Sequence, residues 1–306
     1  MDVVEIAKLD DGLPVYCDKY ASEADGIIIF HKIKPHTHFK DRHESGLLKM
    51  IGIGIGKHKG AATFHQYGFD DFCRNMERVS EVFLKNINVV FSVGIVQNAF
   101  DDIGYLEVIP TNRFFERDAA LLEIAKEDFP NITKIKDIDV LIIDEIGKEI
   151  SGHGFDPNVT GRIDVVSQQA KFREIAPNIK QIVLLDITEK THGLGVGMGN
   201  ADIISYRFVN KLDFASTYTN IITNNYLRGA AMPIYANSDL DAIRIAVIAS
   251  MAKDKSKVRI VRIKNTLMLS EYEVSEAYID ELRQRDDIEI ISESNNWAFN
   301  EEDNLW

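Results

Sequence analysis

The run QIVLLDI, residues 181–187, is apolar at almost every position. A strand with one wet face alternates apolar and polar residues, whereas a nearly continuous apolar strand has both faces covered, as in parallel sheets packed between helices. Similar runs recur as GIIIF (26–30), INVVFSVGIV (87–96), YLEVI (105–109), DVLIID (139–144), ADIISY (201–206) and VRIVRI (258–263). Between them, helical periodicity is found at 69–85, 116–128, 164–174, 218–230, 238–252 and 272–284, the last opened by a capping-box pattern of Ser270 and Glu273. This alternation predicts an α/β fold with two α/β domains, mainly parallel sheets and a cleft between them. A chain of 306 residues has room for two domains. The polar, proline-containing link FPNITKIKDID (129–139) places the expected boundary near 137, giving domains 1–137 and 138–306.

The composition, 45% hydrophobic and 27% charged with seven prolines, is that of a globular protein. No run approaches the roughly 18 apolar residues of a membrane span. The start, MDVVEIAKLDD, has neither the basic nor the apolar region of a secretory signal, so a cytoplasmic protein without a membrane partner is expected. Cys17 and Cys73 are too few for a disulfide framework or a four-thiolate zinc site and read as packing residues. With 35 basic against 48 acidic residues, a net charge of −13, no nucleic-acid partner is expected.

One window breaks the acidic trend. From His31 to His65 seven basic residues (Lys32, Lys34, Lys40, Arg42, Lys49, Lys57, Lys59) face two acidic ones (Asp41, Glu44), and six of the eight histidines of the chain fall there. His36 and His38, two apart, share one face if the segment is extended, which makes them a candidate metal or proton-transfer pair. The glycine-rich IGIGIGKHKGA (51–61) and HGLGVGMGNAD (192–202) complete neither G-x-G-x-x-G nor a phosphate loop, so NAD and ATP are not expected. Those glycines serve either close backbone packing or ligand contact. The short-spaced H-E-x-x-H of a zinc hydrolase and the G-x-S-x-G of a serine hydrolase are both missing from the sequence.

The stretch PHTHFKDRHESGLLKMIGIGIGKHKGAATFH resembles the cofactor-binding core of the lactate racemase family, whose members carry a nickel-pincer nucleotide. The carrying elements are His36, then Ser45-Gly46-Leu47-Leu48-Lys49, then His65 sixteen residues after the lysine. DVLIIDEIGKEISGHGFDPNVTGR and the FVNKLDFASTYTNIITNNYL region extend the resemblance over nearly the whole chain. The resemblance implies an isomerase, a racemase or epimerase of a small 2-hydroxy acid that works by hydride transfer to the cofactor. It makes Lys49 the tether, with Ser45 and Gly46 beside it in the cofactor site, and His65 the nickel ligand. His36 is implied as an acid/base residue, although its thirteen-residue distance from Lys49 leaves His38 as the alternative. Neutral imidazole suits both histidine roles, and Lys57 and Lys59 are expected to help lower the pKa of Lys49.

In the second domain the sequence departs from the family's substrate residues and offers His153, Asp156 and Arg162, with Asp156 and Arg162 as substrate-binding candidates. The family also has an amino-terminal segment carrying a second acid/base histidine, and this chain begins after it. Racemase activity of the chain as it stands is therefore not expected. Two other readings remain open: a non-catalytic carboxylate- or nucleotide-binding protein of the same fold, and a divalent-metal hydrolase.

Overall fold

Alternating hydrophobicity in VVEIAK and PVYCD folds the amino terminus into an antiparallel hairpin of β1 (Val3–Lys8) and β2 (Pro14–Asp18), an element not among those expected from the sequence. The structure, a computed structural model, describes residues 2–305, the side chain of Asn224 excepted. The chain divides into two units between Phe129 and Pro130. That point precedes the boundary expected near 137 because the link is tied to the second unit. Asn178 N donates to Lys136 O at 2.8 Å, Arg285 Nη1 donates to Lys134 O, and Ile132 and Ile135 are buried.

In the first unit β3 (Ile27–Lys32) pairs parallel with β4 (Val89–Gln97), which pairs antiparallel with β5 (Ile103–Pro110). A helical run leaves the loop after β3: a turn at Leu47–Lys49, a π-helix at Met50–Ile55 and α1 (Lys57–Gln66). Then come α2 (Phe72–Asn86) and α3 (Phe114–Glu127). One face of this sheet, carrying Ile29, Ser92, Val96 and Ile109, is buried. On the other, Ile28, Phe30, Leu106 and Val108 are each more than half exposed. The first unit therefore has a mixed sheet, and the parallel character belongs to the second.

The second unit is a six-stranded sheet in the order β11-β10-β6-β7-β8-β9. The strands are β6 (Asp137–Ile146), β7 (Asn178–Ile187), β8 (Ile203–Ser205), β9 (Ile234–Ala236), β10 (Ile260–Ile263) and β11 (Glu273–Val274). All pairs are parallel except β10 with β11. In β6 and β7 successive residues on both faces, Leu141 to Ile143 and Ile182 to Leu185, are fully buried, which is why these runs lack alternation. Val140, Ile142, Val183 and Leu185 pack with Ala242, Ile243 and Ala246 of the helix Asp239–Ala249, where a helix is expected from the sequence.

The helix expected over 272–284 does not form as such. Glu273 belongs to β11, and only Ile279–Leu282 is α-helical. Tertiary bonds override the capping pattern: Glu273 lies opposite Arg262, Trp297 Nε1 donates to Glu273 Oε2 at 2.6 Å, and Ser275 Oγ donates to Val258 O at 2.8 Å. Among the described residues no helix is long and apolar enough to cross a membrane.

Candidate amine and imidazole site

The loop from β3 to the helical run is closed by a bridge between Lys34 and Ser45, with Lys34 N donating to Ser45 O at 2.8 Å and Ser45 N to Lys34 O at 3.2 Å. His36, His38 and His43 are thus confined to one compact turn and are not laid out along a strand. Two buried carboxylates hold that turn. Glu44 accepts from His36 N at 2.7 Å and from Lys40 Nζ at 2.8 Å, with Lys126 Nζ of α3 at 3.4 Å. Asp118, also on α3, places Oδ2 2.8 Å from His43 Nδ1 while its Oδ1 accepts from Leu47 N at 2.6 Å. Asp118 therefore supplies the acceptor that the first N–H of the helical run requires. It also explains Gly46, where a Cβ would run into the Asp118 carboxylate.

Around this frame the rings of His36, His38 and His65 gather on phenylalanines. His36 lies 4.5 Å from Phe39, 6.0 Å from Phe69 and 6.3 Å from Phe72, centroid to centroid. His65 lies 5.8 Å from Phe69 and 6.0 Å from Phe72. His38 stacks on Phe69 at 5.1 Å and lies 5.7 Å from His36. His38 N donates to His36 Nδ1 at 3.0 Å, which assigns the proton of the neutral His36 ring to Nε2.

Lys49 closes the group. Burial, with the Lys34 ammonium adding to it, pulls the Lys49 amine down to about 8. Lys49 has no carboxylate partner among the described residues. Its charge in turn depresses three histidines. Burial and then Lys49 hold His36 well below the usual imidazole value, lower His65, and bring His31 to about 4. At neutral pH these rings are uncharged. Lys57 and Lys59 do not play the part expected of them: Lys57 Nζ sits 3.8 Å from Asp18 Oδ2 and Lys59 lies over the Tyr16 ring. Lys34 does that work instead. The glycines also resolve toward packing, since a Cβ at Gly52 would strike the Phe64 ring, and one at Gly56 or Gly60 the Gly52 carbonyl.

In the second unit the sequence candidates have structural partners. Asp156 caps the short helix Pro157–Thr160, its Oδ1 accepting from Asn158 N at 2.9 Å. The Arg162 guanidinium pairs with Asp202 at 3.1 Å and donates to Lys180 O at 2.8 Å and Ile179 O at 3.3 Å. His153 is buried beside Asp164 and Asn200. Asp118 and Asp164 are not among the residues read from the sequence, and Lys34 is read there only as one of the basic residues of its window. Asp118 is 75 residues from His43, and no local pattern marks it.

The site suits a group that needs an amine of lowered basicity and a neutral imidazole. A neutral amine is a nucleophile, and Nδ1 of His65 is buried with no hydrogen-bond partner among the described residues, a polar atom left for a ligand to satisfy. Fold and site together define an α/β protein with an amine–imidazole site in its first unit. No family model matches the chain, and no curated protein matches its sequence. The solved lactate racemase apoprotein from Thermoanaerobacterium thermosaccharolyticum is similar to this chain at a TM-score of 0.48 with 16% identity, covering 87% of this chain and 67% of that one.

Proposed function

We propose that the chain holds a nickel-pincer nucleotide on Lys49 and His65 as part of a racemase or epimerase of a small 2-hydroxy acid that needs a second acid/base histidine for turnover. The observation that carries this reading is the state of Lys49: a lysine brought to about 8, without a carboxylate partner among the described residues, acting electrostatically on both His36 and His65. At pH 7 about 10% of such an amine is neutral, against roughly 0.03% of an ordinary lysine, so the nucleophilic form is some 300-fold more abundant. When bound, the group supplies a hydride acceptor for the substrate's Cα–H bond.

The chain's own residues do the rest. Ser45 and Gly46 lead the backbone into the helical run beside the tether. The phenylalanines at 39, 69 and 72 exclude water from the histidine rings. His36 holds a proton on Nε2 and is suited to donate a hydrogen bond to a substrate oxygen, while His38, whose Nδ1 lies 3.0 Å from Thr37 Oγ1, is the alternative proton acceptor. The lysine-rich turn favours an anionic substrate and a phosphate-bearing cofactor. A protein of this kind works in the cytoplasm.

The test is mass spectrometry and nickel analysis of the chain produced together with cofactor-synthesising enzymes. The expected result is a cofactor adduct on the peptide containing Lys49 and one nickel per chain, both lost in Lys49→Ala. An unmodified Lys49 with no nickel retained refutes the reading and leaves a carboxylate- or nucleotide-binding protein.

A further inference from the structure

Asp164 is a carboxylate that the fold of the second unit leaves incomplete. It is 6% exposed, and neither Oδ1 nor Oδ2 has a hydrogen-bond partner among the described residues. Removing an ionised carboxylate from water without giving it donors is costly, so such a group is ordinarily paired, hydrogen-bonded or bound to a metal. Its neighbour is the buried ring of His153, with Nε2 3.5 Å from Oδ1, beyond a good hydrogen bond. Residue 229, which approaches the carboxylate closely, is glycine, and a Cβ there would come 2.8 Å from Oδ2.

We propose that Asp164 and His153 are ligands of a divalent cation of the zinc, cobalt or nickel type, bound in the second unit. Two ligand atoms each about 2.1 Å from an ion, at a tetrahedral angle, stand about 3.4 Å apart. The observed 3.5 Å between Oδ1 and Nε2 fits that edge without rearrangement. An imidazole nitrogen with a carboxylate oxygen is a donor pair that this class of ion accepts readily. The cation supplies the positive charge that Asp164 lacks. Asn200 Nδ2 lies 2.6 Å from the same Nε2, and one lone pair cannot serve both, so the amide gives way when the ion binds.

The site does not rest on the function proposed for the first unit, and the experiment separates the two. The full chain with His65→Ala, stripped by chelator, is titrated with cobalt(II) and followed by visible absorption and equilibrium dialysis. One bound equivalent with the d–d spectrum of a nitrogen- and oxygen-ligated ion is expected. Affinity should fall at least tenfold in Asp164→Asn and in His153→Gln, each added to His65→Ala. The metal-free Asp164→Asn chain should melt higher than its Asp164 parent, because an unpartnered buried charge is gone. No retained cobalt, undiminished affinity in both variants, or a lower melt of metal-free Asp164→Asn overturns the proposal.

Discussion

Replacing Lys49 by methionine should stabilise the folded chain at neutral pH, the opposite of what removing a structural lysine does. The amine falls from an ordinary 10.5 to about 8 through burial and the charge of Lys34. That difference corresponds to about 3 kcal/mol against the charged form, an upper bound because Lys49 keeps some contact with water. The unfolded chain holds this proton up to about pH 10.5 and the folded chain only to about pH 8. Stability therefore rises with pH through that window, and the full penalty applies below it. Methionine fills a similar volume without the charge and relieves the penalty, so the variant gains up to about 3 kcal/mol at pH 7 and loses the advantage near pH 10.5. Thermal and urea melts of both chains at the two pH values, followed by circular dichroism, measure it. A Lys49→Met chain less stable than its parent at pH 7, or a difference between the two that does not change with pH, would refute the account of Lys49 as a cation held against its solvation.

Three further outcomes follow from the same geometry. His31, His36 and His65 are all lowered in the folded state, His31 to about 4, so stability should be lost as pH falls from 6.5 toward 4, and His31→Gln should flatten that loss in melts at pH 7, 5.5 and 4.5. Asp118→Ala strands both His43 Nδ1 and Leu47 N and should cost about 2–4 kcal/mol in urea unfolding; a cost near zero would mean that α3 does not anchor the turn. Arg162→Ala should lower stability by about 1–2 kcal/mol, because the guanidinium ties Asp202 to the carbonyls of residues 179 and 180; an unchanged urea midpoint would return Arg162 to the ligand-binding candidates.

The strands at 139–144 and 181–187, and the grouping of Lys49 with His36 and His65, were legible in the sequence because each depends on a short span of chain. Hydrophobic periodicity is local, and the two histidines lie within sixteen residues of the lysine. The partners that give these side chains their chemistry were not legible. Asp118 reaches His43 across 75 residues, and Glu44 meets Lys126 from another helix. Lys34 bears on Lys49 only because a two-residue bridge folds the loop back on itself. Glu273 reads as a helix cap from the sequence and becomes a strand residue because Arg262 and Trp297 bind its carboxylate. The tautomer of His36 and the unsatisfied oxygens of Asp164 likewise belong to packing. Sequence determines which residues are available and how each segment prefers to fold. Charge state and hydrogen-bond completion depend on desolvation and on groups brought together from distant parts of the chain, and only the tertiary structure decides those.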